Sequence, residues 1–85
     1  MKEIKYILTD PLGLHARPAG QLVKAAGKYK SDIQIGTPAK MVNAKRIIGV
    51  MALSMKQGHE LVMTFNGEDE EEAAVFCKGF LEENL

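Results

Sequence analysis

The sequence predicts an α+β fold in which an antiparallel sheet is covered on one face by helices. Three observations lead to it. Four segments alternate apolar and polar residues with the period of a strand, and three others repeat with the period of a helix. Their order, β-α-β-β-α-β-α, places helical segments between strands and closes on a helix. Finally, 85 residues suffice for one core, so residues 1–85 read as a single domain, without linker, repeat or low-complexity stretch.

Each element has its own signal. Residues 3–8 alternate, with Ile4, Tyr6 and Leu8 on one face, as expected of a strand with one buried side. Thr9-Asp10-Pro11-Leu12-Gly13 is turn chemistry. From Ala16 the period changes: Ala16, Ala19, Leu22, Val23 and Ala26 share a helix face, with Gln21, Lys24 and Lys28 outside it. Pro18 is tolerable only in a first turn, which sets the helix start at 15–17, and Gly27 is placed to end it. Asp32 to Ile35 alternates as a second strand, turned by Gly36-Thr37-Pro38 into a third at Lys40 to Asn43. Arg46 to Leu53 reads as a short, largely apolar helix. Leu61, Met63 and Phe65 alternate in a fourth strand, which Asn66-Gly67 breaks. Asp69 and Glu72 have the spacing of a capping box, and the acids at 70–72 suit the first turn of the last helix. Its buried stripe is expected to be Ala73, Phe76, Cys77, Phe80 and Leu81.

Composition narrows the function classes. The formal net charge is zero, yet residues 1–58 hold ten of the eleven basic groups against three acids, and residues 59–85 hold one against eight. Such a separation, +7 against −7, points to an anionic partner or substrate on the basic side. A lone cysteine, Cys77, permits neither an internal disulfide nor a cysteine-rich zinc site, and it fits a reducing compartment. No apolar run approaches the ~20 residues that span a bilayer, and the N-terminus lacks a signal-peptide pattern. A cytoplasmic protein without membrane insertion is the expectation. Nucleic acid is not the expected partner: Tyr6 and Phe65, the only strand aromatics, fall on the buried face and cannot stack bases.

His15 is the side chain best placed for chemistry. A Gly-containing turn delivers it to a helix start, where backbone N–H groups and the positive end of the dipole attract an anion. Arg17 adds a planar guanidinium suited to phosphate oxygens. A nucleophilic histidine, a helix N-terminus and an arginine together describe a phosphoryl acceptor, although a polar turn residue is the commoner role at such a position. No carboxylate, second histidine or cysteine close in sequence completes a metal site or a triad, and no metal is expected. Ile47 and Met51 could form an exposed patch for partner docking, since Val50 and Leu53 can face the sheet. His59 reads as a solvated turn residue and Cys77 as core.

Gly13-Leu14-His15-Ala16-Arg17-Pro18-Ala19 resembles the active-site motif of the HPr family, the histidine-containing phosphocarriers of the bacterial sugar phosphotransferase system. Val42-Asn43-Ala44-Lys45 and Ile47-Ile48-Gly49-Val50-Met51 are similar to that family's second motif. The resemblance covers essentially the whole chain. It implies an open-faced β-sandwich, a four-stranded antiparallel sheet with three helices on one side. It implies that His15 takes a phosphoryl group on Nδ1 from phosphorylated enzyme I and passes it to EIIA domains of sugar permeases, with no cofactor and as a monomer. Arg17 would steady the phosphate and Pro18 shape the helix start. Leu14, Gln21, Lys24, Lys45, Arg46, Ile47, Ile48 and Met51 would belong to the partner-binding surface. The protein would be a carrier in a relay and not an enzyme in its own right.

Two positions depart from the family pattern. Arg46 stands where many members carry a regulatory serine, which implies that kinase control through that residue is lost. Arg46 also lacks the oxygen of a usual N-cap. Ser54 stands where a glycine is usual after the short helix. Two other readings compete with the sugar-system carrier: a paralogue in a regulatory, nitrogen-related branch, and a non-catalytic module whose basic face binds an anionic partner.

Overall fold

The structure is a computed structural model, and it describes residues 1–85. Its order is β1 (Lys2–Ile7), α1 (Ala16–Ala26), β2 (Asp32–Thr37), β3 (Lys40–Asn43), α2 (Ile47–Ala52), β4 (Glu60–Asn66) and α3 (Glu70–Asn84). The four strands form one sheet in the order β1-β4-β2-β3, with every neighbouring pair antiparallel. The expected α+β architecture, an open-faced sandwich with three helices, is therefore the one the chain adopts.

Register explains how the alternating strands make one core. Ile4 lies opposite Met63, Tyr6 opposite Leu61, Ile33 opposite Phe65, and Ile35 opposite both Met63 and Val42. Because side chains alternate across a strand, these residues share the helix-covered face. Ile33, Ile35, Leu61, Met63 and Phe65 are fully buried there, against Leu22 and Ala26 of α1, Val50 of α2, and Ala73, Cys77 and Leu81 of α3. Lys5, Val62 and Gly36 stand abreast on the open face, and Val62 is nevertheless buried between its neighbours.

Several local expectations are corrected. Gly36 and Thr37 belong to β2 and not to the turn. A Cβ at Gly36 would run into the Lys40 carbonyl oxygen and lie 2.9 Å from Met41 Cα, so the close pairing of β2 with β3 needs glycine there. Gly27 follows α1 with φ −64°, inside the helical region, so the helix runs out through the tighter i→i−3 bonds of Lys28 to Ala25 O and Tyr29 to Ala26 O rather than at a left-handed residue. Phe76 is 45% exposed and leaves the buried stripe of α3, while Ala74 joins it. The helix turns Phe76 toward Tyr29 and Phe80, with ring centroids 6.3 and 6.4 Å away.

The expected capping box also fails to form. Asp69 is the N-cap residue of α3, yet its side chain makes no cap hydrogen bond. Its carboxylate instead accepts from the backbone N–H groups of Lys30 (2.8 Å) and Ser31 (2.9 Å) and from the Ser31 hydroxyl. Ser31 is the one buried polar residue, and a buried hydroxyl needs such a partner. First the Ser31 hydroxyl, then the Lys30 N–H, hold the Asp69 carboxyl below its ordinary value. Glu70 Oε1 accepts from Gly67 N–H at 3.1 Å and so does part of the capping that Glu72 was expected to do. No helix is long and apolar enough to cross a membrane.

Candidate phosphoryl-acceptor site

The turn before α1 is built before the site is. Asp10 Oδ1 accepts from Leu12 N–H at 2.8 Å, and the Asp10 carbonyl accepts from Gly13 N–H at 2.8 Å, which closes residues 10–13 into a tight turn. Gly13 takes φ +66°, a left-handed conformation that glycine adopts freely. Leu14 N–H then donates to Met55 O at 3.0 Å, tying this turn to the loop that leaves α2. Ser54 in that loop holds φ 51°, also left-handed, at the position where the resemblance implies a glycine.

His15 is the N-cap of α1, with extended backbone (φ −96°, ψ 176°) and no capping bond from its side chain. Its ring is therefore not consumed by the helix. Of the first backbone groups of α1, Pro18 has no N–H and Ala19 N–H donates to His15 O at 3.0 Å. The N–H groups of Ala16 and Arg17 have no acceptor within the chain and are available to an anion at the ring. The first turn of α1 contains no acid that would repel one. Arg17 is exposed and forms no ion pair with a carboxylate of the chain, so its guanidinium is available as well.

Around His15 the sequence-predicted residues separate into surface and core. Arg17, Gln21 and Lys24 are exposed and recur at helical spacing, so they line one face of α1 leading away from His15. On α2, Ile48 is 84% and Ile47 40% exposed, while Val50 is buried. Met51 is only half-exposed and packs against the core, which makes it a smaller part of any surface patch than expected. Leu14 is a correction: it is 5% exposed and belongs to the core cluster, because the Met55 hydrogen bond draws it inward. Pro18 is buried as well, in the first turn of α1.

Lys45 and Arg46 stand at the start of α2. The Lys45 ammonium donates to Tyr29 O at 2.8 Å, joining the loop after α1 to the loop before α2. Arg46 is exposed, is the N-cap residue, and makes no side-chain cap bond, as its lack of an oxygen implies. Val42, Asn43, Lys45, Arg46, Ile47, Ile48 and Gly49 line an open groove of about 600 Å³. Away from this face, His59 has a structural duty: its Nδ1 accepts from Lys56 N–H at 3.0 Å. Burial pushes the Cys77 thiol up to about 11.

The fold gives His15 one neighbour that the sequence does not reveal. Asp10 Oδ2 lies 3.6 Å from His15 Nε2, so a carboxylate does accompany the histidine. Five residues of sequence gave no sign of it, because only the tight turn at 10–13 folds Asp10 back onto the ring. No three His, Cys, Asp or Glu side chains converge to hold a metal ion.

Comparison with known proteins bears on the family of the whole chain. Residues 2–83 match the family model described as the PTS HPr component phosphorylation site. A phosphocarrier protein HPr from Lysinibacillus sphaericus is 47% identical over 73 residues, covering 86% of this chain and 83% of the relative. Among solved structures, HPr from Thermoanaerobacter tengcongensis superposes with TM-score 0.90 at 40% identity, covering 96% of this chain and 92% of that one. A Mycoplasma histidine-containing phosphocarrier protein superposes with TM-score 0.92 at 38% identity, covering 96% and 93%. With a free histidine at a helix start, and this likeness along nearly its whole length, the chain belongs to the HPr family of phosphocarrier proteins.

Proposed function

We propose that His15 accepts a phosphoryl group on Nδ1 from phosphorylated enzyme I, itself charged by phosphoenolpyruvate, and passes it to EIIA domains of sugar permeases. The observation that carries this reading is the state of His15: an N-cap residue whose ring makes no capping bond and lies beside unengaged backbone donors. The Nδ1 lone pair attacks phosphorus while the bond to the donor's leaving atom breaks and that atom keeps the electron pair. The N–H groups of Ala16 and Arg17 and the Arg17 guanidinium stabilise the charge on the phosphoryl oxygens. The ring is 34% exposed on its side chain, which lets two partners reach it in turn. A carrier must bind the group without trapping it, and a shallow helix start holds it less tightly than a closed cage.

The role is that of a relay member acting as a monomer in the cytoplasm, with alignment supplied jointly by the docked partner. The exposed Ile47 and Ile48 beside Lys45 and Arg46, together with Arg17, Gln21 and Lys24, form the surface on which such partners would dock. Arg46 offers no hydroxyl, so ATP-dependent serine phosphorylation at that position is absent from this protein's control. Incubation with phosphoenolpyruvate and enzyme I should add the mass of one phosphoryl group in acid-labile form. His15→Ala should gain nothing. An unmodified wild type, or equal gain by His15→Ala, would overturn the reading.

A further inference from the structure

Asp10 has one oxygen that its turn does not use. Its backbone is held from two sides, since Asp10 N–H donates to Leu85 O at 2.8 Å and its carbonyl accepts from Gly13 N–H at 2.8 Å. Thr9 reinforces this anchor, donating to the same Leu85 oxygen through its N–H (2.6 Å) and its hydroxyl (3.0 Å). Asp10 Oδ1 is engaged by Leu12 N–H at 2.8 Å. With one oxygen occupied and the backbone pinned, Oδ2 is aimed at His15 Nε2, 3.6 Å away. That separation exceeds a hydrogen bond by roughly half an ångström, an amount that a small rotation of the imidazole removes.

We infer that Asp10 is a positioning residue for His15, whose carboxylate keeps the ring proton on Nε2 and so leaves the Nδ1 lone pair free for the phosphoryl group. The inference rests on the phosphocarrier reading above. A neutral imidazole has one N–H, and an ionised carboxylate can only accept. A carboxylate facing Nε2 therefore selects the Nε2–H form, in which Nδ1 is the nucleophile. During transfer the proton stays on Nε2, no proton moves elsewhere, and the positive charge gained by the ring is balanced by Asp10. The same carboxylate orients the plane of the ring, as outer partners do for other histidines.

The decisive variant is Asp10→Asn, because the Leu12 bond dictates how the amide sits. Its oxygen stays on Leu12 N–H, and its NH₂ group turns toward Nε2, which must then accept. The ring proton is driven to Nδ1 and the nucleophilic lone pair is lost. Imidazole ¹⁵N shifts, recorded without enzyme I at a pH where the ring is neutral, report the tautomer directly. His59 is the internal reference, since the Lys56 N–H on its Nδ1 keeps it in the Nε2–H form in both proteins.

The expected result is Nε2–H at His15 in the wild type and a shift toward Nδ1–H in Asp10→Asn. Phosphorylation by enzyme I should slow about tenfold or more. Asp10→Ser preserves an acceptor for Leu12 N–H but removes the group facing the ring; it should give a mixed tautomer and an intermediate rate, and it serves if the asparagine variant folds poorly. Retention of Nε2–H in Asp10→Asn, or a changed tautomer with an unchanged rate, would overturn the assignment. Failure of the wild type to become phosphorylated would strike the carrier reading instead, because the tautomer comparison does not depend on enzyme I.

Discussion

Gly13 stands two residues before His15, and its replacement by alanine probes the packing that sets the histidine in place. At φ +66° a β-carbon costs about 1–2 kcal/mol by itself. That carbon would also collide with the Met55 carbonyl oxygen and lie 2.6 Å from Lys56 Cα. Both obstacles are backbone, so they cannot rotate away. Separating the two loops would strain or break the Leu14 N–H to Met55 O bond of 3.0 Å, adding about 0.5–1.5 kcal/mol. Overpacking contributes about 1–3 kcal/mol more, for a total of about 2.5–6.5 kcal/mol. For a domain of this size, each kcal/mol moves the melting temperature by about 4–8 °C, so a drop of at least about 10 °C is expected. Thermal unfolding followed by circular dichroism reads it. Gly79→Ala is the control: it lies inside α3 with open space around the would-be β-carbon, and it should stabilise by about 0.5–1 kcal/mol. If Gly13→Ala melts within about 4 °C of the wild type, the loops yield cheaply and the reasoning fails.

Three further outcomes follow from the same packing. Asp69 has its carboxyl held below the ordinary 3.8, so its contribution to stability is present above that value and is lost as the pH falls through the folded one; Ser31→Ala should be less stable at neutral pH and lose less on acidification, and parallel pH profiles in urea titrations would contradict this. Cys77 has a buried thiol raised to about 11, so it should resist alkylation at mildly alkaline pH until the chain unfolds, and global stability should decline as the pH rises from the ordinary 9.0 toward 11; rapid labelling of the native protein would refute its burial. On α2, Ile48→Ser should leave stability within about 0.5 kcal/mol while slowing phosphoryl exchange with its partners, and Val50→Ala should cost about 2–3 kcal/mol of stability; the reverse pattern in melts and transfer kinetics would exchange their roles.

Much of the fold is legible in the sequence, because secondary structure and binary patterning are local. Ile4 and Tyr6, then Leu61, Met63 and Phe65, announce buried strand faces by alternation, and Pro18 marks the start of α1 to within a residue. His15 and Arg17 stand out as candidates in the same stretch of chain. Local rules failed where a side chain had a choice of partner. Asp69 was within reach of its own helix and chose Lys30 and Ser31, which lie 39 and 38 residues earlier, because buried Ser31 has no other acceptor. Phe76 fitted the apolar stripe of α3, but it stands 45% exposed beside the rings of Tyr29 and Phe80, while Ala73, Ala74, Cys77 and Leu81 take the buried face.

The sequence by itself determined the order of elements, the faces of the strands and the placing of the candidate histidine at a helix start, since each depends on neighbours a few residues away. Only the tertiary structure decided which groups surround that histidine. Leu14 went into the core because the loop after α2 offers Met55 O to its N–H. Asp10 came to His15 because Leu85, at the other end of the chain, fixes its backbone while Leu12 occupies one of its oxygens. Such placements depend on which donors and acceptors meet once distant segments are packed, and no periodicity along the chain encodes them.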